Sequence, residues 1–308
     1  MSDPALSVVI PTHGRAELLA RVIRYLERER DAPEFELIVV TDARAEKVDA
    51  VRAAVQGSRL DARLLAAARP GASAARNVGW RAARAPIVLF IGDDTLPEGH
   101  LLAGHMEWHE RHPEEAVAVL GRVRWADEIE VTPFMRWLDA GIQFDFANIE
   151  GTDVGWGRFY TANSSIKRSL IERVDGFDEE RLPFLYEDLD LAYRLQPFGF
   201  RLLYNREASV EHVHPVTVEE WKGRAAAVAA AEREFVRLHP DVPPYFYNLF
   251  SEAARMPPAR GRGVKLARWV PRGAPVIGKR VWHLADVAWR QALAEPFLAE
   301  WENDEAVA

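Results

Sequence analysis

The feature that most limits how this chain can fold is the alternation in its first hundred residues. Four apolar runs, "LSVVI", "FELIVV", "ARLLAAA" and "PIVLFI", read as strands. Between them lie segments with a helical apolar period. "RAELLARVIRYLERER" puts Leu18, Leu19, Val22, Ile23 and Leu26 on one face, and "AEKVDAVRAAV" and "ASAARNVGWRAAR" read the same way. Strands alternating with amphipathic helices predict right-handed crossovers and a parallel sheet covered by helices. Such sheets bind ligands at the carboxyl ends of their strands. Three of the runs end there in polar residues: "PTHGR", "TDAR" and "GDDT".

The middle of the chain is more mixed. "EEAVAVLGRVRW" predicts one or two strands, and "RFYTANSSIKRS" a strand entering a helix with Ser169 as a candidate cap. "EDLDLAYRLQPFGF" predicts a helix stopped near Pro197 and Gly199, followed by short strands at "RLLYN" and "ASVEHVH". Beyond Pro215 the pattern is helical, through "TVEEWKGRAAAVAAAEREFVRL" and "PPYFYNLFSEAARM". A linker rich in Pro, Gly and Arg then leads to a last helix near 276–300.

Composition narrows the chemistry. The chain has 308 residues and no cysteine, so a metal must be held by carboxylate, imidazole or water. The start lacks the basic region and long apolar stretch of a signal peptide, and no run of about 18 apolar residues predicts a membrane span. These features predict a cytoplasmic protein. A net charge of −8 argues against nucleic acid as a partner. The charge is uneven, because 253–285 carries no acid but holds Arg255, Arg260, Arg262, Lys265, Arg268, Arg272, Lys279 and Arg280. That segment carries +8 and the rest of the chain −16.

Three acidic or imidazole groups carry the candidate chemistry. Asp93 and Asp94 follow a buried strand, where they form either a solvated strand end or a site for a hard divalent cation. "YEDLD" puts Glu187, Asp188 and Asp190 in a first helical turn, whose dipole favours carboxylates, as a cap or as a base. "VEHVH" puts His212 and His214 on one strand face, where a metal ligand is the sharper of two readings.

Together these motifs resemble family 2 glycosyltransferases. The resemblance runs in order through "LSVVIPTHGR", "FELIVVTDAR", "PGASAARNVGW", "VLFIGDDTLP", "TANSSIKRSLIERVDGFDE" and "YEDLDLAYRLQPFGFRLLYNREASVEHVHP". It covers about residues 5–240 and implies a GT-A, Rossmann-like α/β fold over 1–240, a mixed, mostly parallel sheet flanked by helices; the helical pattern beyond it predicts a helical extension with a basic linker over 241–308. The resemblance implies inverting sugar transfer from a nucleotide-sugar donor to a hydroxyl of a glycan or lipid-linked acceptor, with Mg²⁺ or Mn²⁺. Pro11, Thr12 and His13 would line the base and ribose pocket. Asp42 would accept a hydrogen bond from the base, with Arg76 and Asn77 near the nucleotide. Asp93 would face ribose or the metal's waters, and Asp94 would bind the metal with His212. Asp188 would be the general base, supported by Glu187 and Asp190, with Asn163 and Ser164 near the sugar or acceptor. The chain departs from the family at Gly92, where an Asp is common, and at Thr41 and His13.

Other classes fit less well. A nucleotidyltransferase would carry a basic Gly-rich loop after the first strand, and "PTHGRAELL" has only Gly14. A dinucleotide oxidoreductase would need a Gly-x-Gly-x-x-Gly turn. A catalytically degenerate GT-A protein that binds glycan or nucleotide is the alternative, favoured by Gly92 and opposed by "YEDLD". In the extension, the basic run beside Trp269, Trp282 and Trp289 is either a linker and helix packed on the catalytic domain or forming a homodimer contact, or a peripheral contact at the inner face of the plasma membrane.

Overall fold

The computed structural model describes residues 3–259 and 261–303, so Arg260 of the basic run and residues 304–308 of the extension lie outside the described residues. The chain opens with β1 (Leu6–Thr12), α1 (Ala16–Leu26), β2 (Phe35–Thr41), α2 (Val48–Gln56), β3 (Ala62–Ala66), α3 (Ala72–Ala82) and β4 (Ile87–Ile91). It continues through β5 (Thr95–Pro97), α4 (Leu101–Arg111), β6 (Val117–Trp125), α5 (Pro133–Leu138), β7 (Asn163–Lys167), α6 (Arg168–Glu172), α7 (Glu187–Leu195) and β8 (Arg201–His212). The last helices are α8 (Val218–Leu238), α9 (Tyr245–Arg255), α10 (Arg262–Ala267) and α11 (Ile277–Asn303).

The strands form one eight-stranded sheet in the order β3-β2-β1-β4-β7-β6-β8-β5. β1 pairs in parallel with both β2 and β4, and β2 with β3. β7 runs antiparallel between β4 and β6, and β5 antiparallel to β8. The mixed, mostly parallel sheet implied by the family resemblance is therefore present. Its centre is apolar on both faces: Val8, Val9, Ile10 and every residue of β4 are buried, as a doubly covered parallel sheet requires. The chain leaves β1 toward β2 and β3, then crosses back through α3 to β4 on the other side. The strand order thus reverses between β1 and β4, which opens a crevice at their carboxyl ends.

Some local expectations differ. Ser169 does not cap α6, which starts after Lys167 without a side-chain cap. "RLLYN" and "ASVEHVH" form a single strand, β8, because a bulge joins them. Gly121 of β6 pairs with Asn205 but Arg122 pairs with Ser209, leaving residues 206–208 unmatched. The Asn163 amide clasps this bulge, donating to the carbonyls of Arg122 (3.0 Å) and Ala208 (2.9 Å). Its Oδ1 accepts from His105 Nε2 at 2.9 Å. His214 lies past the end of β8 and is exposed.

Contacts group the chain into two compact units, Met1–Ile129 with Asn148–His214, and Glu130–Ala147 with Pro215–Ala308. This grouping puts α8, counted with the first 240 residues in the sequence expectation, among the helices after it. The first unit holds the sheet. The second holds α5 and α8–α11 around Phe134, Trp137, Phe250, Trp289 and Phe297. In it, α8 starts at a capping box, with Glu220 N donating to Thr217 Oγ1 and Thr217 N to Glu220 Oε2. Buried Glu232 accepts from Phe246 N (2.7 Å) and Tyr247 N (2.8 Å), which anchors the start of α9.

Asn163→Ala removes a hydrogen-bond partner from two backbone carbonyls and from His105 Nε2, whose ring keeps Ser165 at Nδ1. Each such group costs about 1–3 kcal/mol, so urea unfolding should show a loss of at least ~2 kcal/mol. A loss near zero would mean that the bulge does not depend on this amide.

Candidate active site

The crevice between β1 and β4 is lined by the loops that follow them. Gly14 in the first loop has φ +107°, and a Cβ there would stand 2.1 Å from the Glu46 carbonyl oxygen. Glycine is therefore required for the turn that brings Arg15 back over the strand ends. From there Arg15 spans both acids that follow β4: one guanidinium nitrogen donates to Asp93 Oδ1 and another to Asp94 Oδ2, the latter at 2.6 Å. Thr12 Oγ1 donates to Asp93 Oδ2 at 2.6 Å. The expected acid pair is thus bridged by a cation that the sequence reading had placed only at the start of a helix.

Burial pushes the Asp93 carboxyl above its ordinary range; Arg15 pulls it back and the adjacent Asp94 raises it again. His212 Nε2 lies 3.5 Å from Asp94 Oδ2. It arrives there because β8 pairs Thr95 with His212, while Val213 N donates to the Asp94 carbonyl. The Trp125 ring meets the imidazole edge-on at 5.2 Å. Burial holds the His212 pKa below its ordinary value, against the pull of Asp94. The ring is therefore neutral near pH 7 and keeps a lone pair for a metal.

These residues fit a divalent cation held only in part by protein. Asp94 and His212 converge on one point, yet no group of three His, Asp or Glu among the described residues forms a cage. Such a two-ligand set leaves the remaining positions to phosphate oxygens and water. A side chain at Gly92 would crowd it, because a Cβ there would stand 2.7 Å from Asp94 Oδ1.

Asp42, at the end of β2, organises the neighbouring loops. It accepts from Gly71 N (3.0 Å) and Arg44 N (3.1 Å) and lies 2.9 Å from His13 Nδ1. Pro11 pairs with Val40 inside the sheet, whereas the His13 side chain is 63% exposed and open to a ligand.

A second side of the site is built on α7. Gly71 (φ +106°) lies against Pro183, where a Cβ would stand 2.4 Å from the Pro183 carbonyl oxygen. Ser73 N also donates to that carbonyl. The start of α3 is thereby clasped to the segment that feeds α7. Within that segment Leu185 (φ 69°) and Tyr186 (φ 61°) are both left-handed. Each costs roughly 1–2 kcal/mol, and strain of this kind gathers at functional sites. Glu187 and Asp188 follow directly in the first turn.

Glu187 Oε1 accepts from Arg76 at 2.6 Å, in a buried pair, while Glu187 Oε2 and Arg76 Nε have no partner. Asp188 accepts from Thr161 N (3.3 Å) and Leu189 N (3.0 Å). Burial and the adjacent Glu187 push its carboxyl up to about 7, with Arg76 opposing. Thr161 lies two positions before Asn163, which pairs with Ile91, itself two positions before Asp93. The β4–β7 ladder therefore brings Asp188 to the same sheet edge as the acid pair.

Other expected residues have structural partners. Asn77 is buried and accepts from Trp80 Nε1 and Phe177 N while donating to the Phe177 carbonyl, each at 2.9 Å. Asn163 has both amide protons and its carbonyl engaged, so it has no free group for a sugar. Ser164 donates to the Tyr160 carbonyl at 2.7 Å. Asp190 is buried and accepts from Arg194 at 2.8 Å. Arg15, Thr161 and the Leu185–Tyr186 pair are the features that sequence reasoning missed. "PTHGR" did carry a signal, since a cation directly after a polar strand end is placed to face acids on the next strand.

Comparisons with known proteins give the family and the fold. The family described as "Glycosyl transferase family 2" matches residues 7–174, more than half of the chain. A "Validoxylamine A glucosyltransferase" of Streptomyces hygroscopicus subsp. limoneus is 29% identical over 277 residues, covering 79% of this chain and 59% of that protein. A "Pre-mycofactocin glycosyltransferase" of Mycobacterium tuberculosis is 28% identical over 241 residues, covering 77% and 48%. The chain thus spans about half to three-fifths of the length of these relatives. A solved mannosyltransferase of Pyrobaculum calidifontis, in complex with GDP-Man and Mn²⁺, superposes with a TM-score of 0.63 at 21% identity, covering 98% of this chain and 89% of that one. S. aureus TarS 1-349 in complex with UDP-GlcNAc superposes at 0.53 and 15% identity, covering 98% and 92%. At these identities the likeness to the solved structures is one of fold.

Two outcomes follow from the site. Arg15→Met should destabilise the metal-free protein by ~1–3 kcal/mol, below the full cost of breaking a buried pair because Arg15 is half-exposed. Added Mn²⁺ should then raise Tm more in the variant than in the wild type; an equal rise would show that Arg15 and the cation do not share the acid pair. The second outcome concerns pH. Asp188 holds its proton more tightly folded than unfolded, so its ionisation lowers stability as pH rises from the ordinary Asp range to about 7. Asp188→Asn removes that loss. Its Tm relative to the wild type should be higher at pH 8 than at pH 5, and a pH-independent difference would contradict the assignment.

Proposed function

Because the chain belongs to glycosyl transferase family 2, we propose that it moves a sugar from a nucleotide-sugar donor to a hydroxyl of a glycan or lipid-linked acceptor, with inversion and with Asp188 as general base. The observation that carries this reading is the position of Asp188. It sits in the first turn of α7, its carboxyl is raised to about 7, and the β4–β7 ladder links it to the Asp93–Asp94 crevice. A base works best with a pKa near the working pH.

The chemistry divides between the two ends of that ladder. The acceptor oxygen bonds to the anomeric carbon from the face opposite the diphosphate. The bond from that carbon to the diphosphate oxygen breaks, and the acceptor proton passes to Asp188. The two backbone N–H groups on Asp188 fix the carboxylate, and a helix N-terminus favours its ionised form. Glu187 is committed to Arg76 through one oxygen, and its other oxygen is buried, which favours Asp188 as the base.

On the donor side, His13 and Asp42 are available to the base and ribose, and Thr12 holds Asp93 in place. Asp94 and His212 would hold Mg²⁺ or Mn²⁺, which when bound supplies countercharge to the departing diphosphate. The Pyrobaculum relative's complex with GDP-Man and Mn²⁺ supports such a cation. Gly92, where the family commonly has an Asp, instead favours a degenerate protein that binds glycan or nucleotide without transfer.

A screen of GDP- and UDP-sugars with Mn²⁺, read by release of nucleoside diphosphate, tests both. The wild type should release it. Asp188→Asn should lose at least about 10²-fold in rate while nucleotide affinity stays within severalfold. Near-wild-type turnover by Asp188→Asn would remove its role as the base, and nucleotide binding without release from any donor would favour the degenerate protein.

A further inference from the structure

Among the described residues, nine large apolar side chains are exposed, and five of them fall between residues 266 and 284. They are Leu266 (48%), Trp269 (83%), Val276 (65%), Ile277 (63%) and Leu284 (52%). The scaffold beneath them is packed. Gly263 of α10 lies against α11, where a Cβ would stand 2.6 Å from Ala285 N. Trp282 Nε1 donates to the Val270 carbonyl at 2.9 Å, and the Arg272 guanidinium lies over the Trp282 ring. Gly263, Ala267, Gly278, Val281, Trp282 and Ala285 are buried on the inner side. The outward apolar groups are therefore presented by a formed corner of helix, turn and helix. Ile277, Arg280 and Leu284 share one face of α11 by their spacing. Val276 holds φ +56°, which a β-branched residue adopts only at a cost.

Charge identifies what this surface meets. Arg262, Lys265, Arg268, Arg272, Lys279 and Arg280 are all exposed around the apolar groups, and no acid lies between 253 and 285. A symmetric contact with a second copy would set this basic surface against itself, because such interfaces pair the same patch on both subunits. Like charges brought together oppose association. An anionic bilayer has the complementary properties: a negative surface for the cations and an interfacial layer that favours indole rings. No helix among the described residues is long and apolar enough to cross a membrane, so the contact is peripheral.

We infer that the α10–α11 corner is a membrane-binding surface that docks on anionic lipid, with Trp269, Ile277 and Leu284 entering the interface and the surrounding Lys and Arg facing the headgroups. Co-sedimentation of the full chain with phosphatidylcholine vesicles, alone or mixed with phosphatidylglycerol, tests it. The chain should pellet with the anionic vesicles at low salt, pellet less as salt rises, and stay in the supernatant with the neutral ones. Lys279→Gln with Arg280→Gln should lower the partition coefficient on the order of tenfold. Trp269→Ala should lower it severalfold with an unchanged circular-dichroism melt, since these side chains are exposed. Equal recovery with neutral and anionic vesicles would overturn the inference. So would a dimer in light scattering that Trp269→Ala converts to monomer, which would assign the surface to a second copy.

Discussion

The guanidinium of Arg15 between Asp93 and Asp94 is the interaction on which the rest of the site depends. Adjacent carboxylates at the end of a buried strand repel each other, and desolvation makes this worse. Arg15 relieves both and joins the carboxyl ends of β1 and β4 at the point where the strand order reverses. The relief is reversible, because Arg15 is a long side chain that is 45% exposed. In the proposed reaction a cation arriving with the diphosphate would take over the same carboxylates, and the guanidinium would be released to the phosphates, a bidentate partner for it. The acid pair would then keep a countercharge throughout.

The α7 side of the site is held by a second set of contacts, all running from α3 to the stretch before or within α7. Gly71 meets Pro183, Asn77 clasps Phe177, and Arg76 pairs with Glu187. Asp42 joins this set through Gly71 N. The "PGASAARNVGW" segment therefore acts largely as architecture. It ties the Asp42 loop and the first turn of α7 to one helix, and it contacts the chain on both sides of the left-handed Leu185–Tyr186 pair.

The parallel half of the sheet could be read from the sequence because β1, β2 and β4 are continuous apolar, largely buried runs and β1 to β3 are each followed by a helix. Both signals are local. β5, the antiparallel insertion of β7 and the bulge of β8 could not be read, since each exists only through pairing with distant strands. The same division holds in the site. Asp93, Asp94, Glu187, Asp188 and His212 stand out because acids and imidazoles at element ends need a reason to be there. Arg15 resembled an ordinary helix-start residue, and only the β1–β4 pairing reveals what it faces. Asn77 and Asn163 sit in recognisable motifs, yet their amides are spent on backbone groups, which residue type alone cannot signal. In the C-terminal helices the charge run was legible, but which apolar side chains face outward depends on how α10 packs on α11.

The central claim is that the acid pair exchanges its internal cation for one delivered with a diphosphate. Titration of Mn²⁺ followed by electron paramagnetic resonance, with and without UDP or GDP, tests it most directly. The account predicts weak Mn²⁺ binding to the protein alone, and a bound signal appearing with at least one of the diphosphates that is lost in Asp94→Ala. Mn²⁺ bound equally well without nucleotide, or retained by Asp94→Ala, would contradict it.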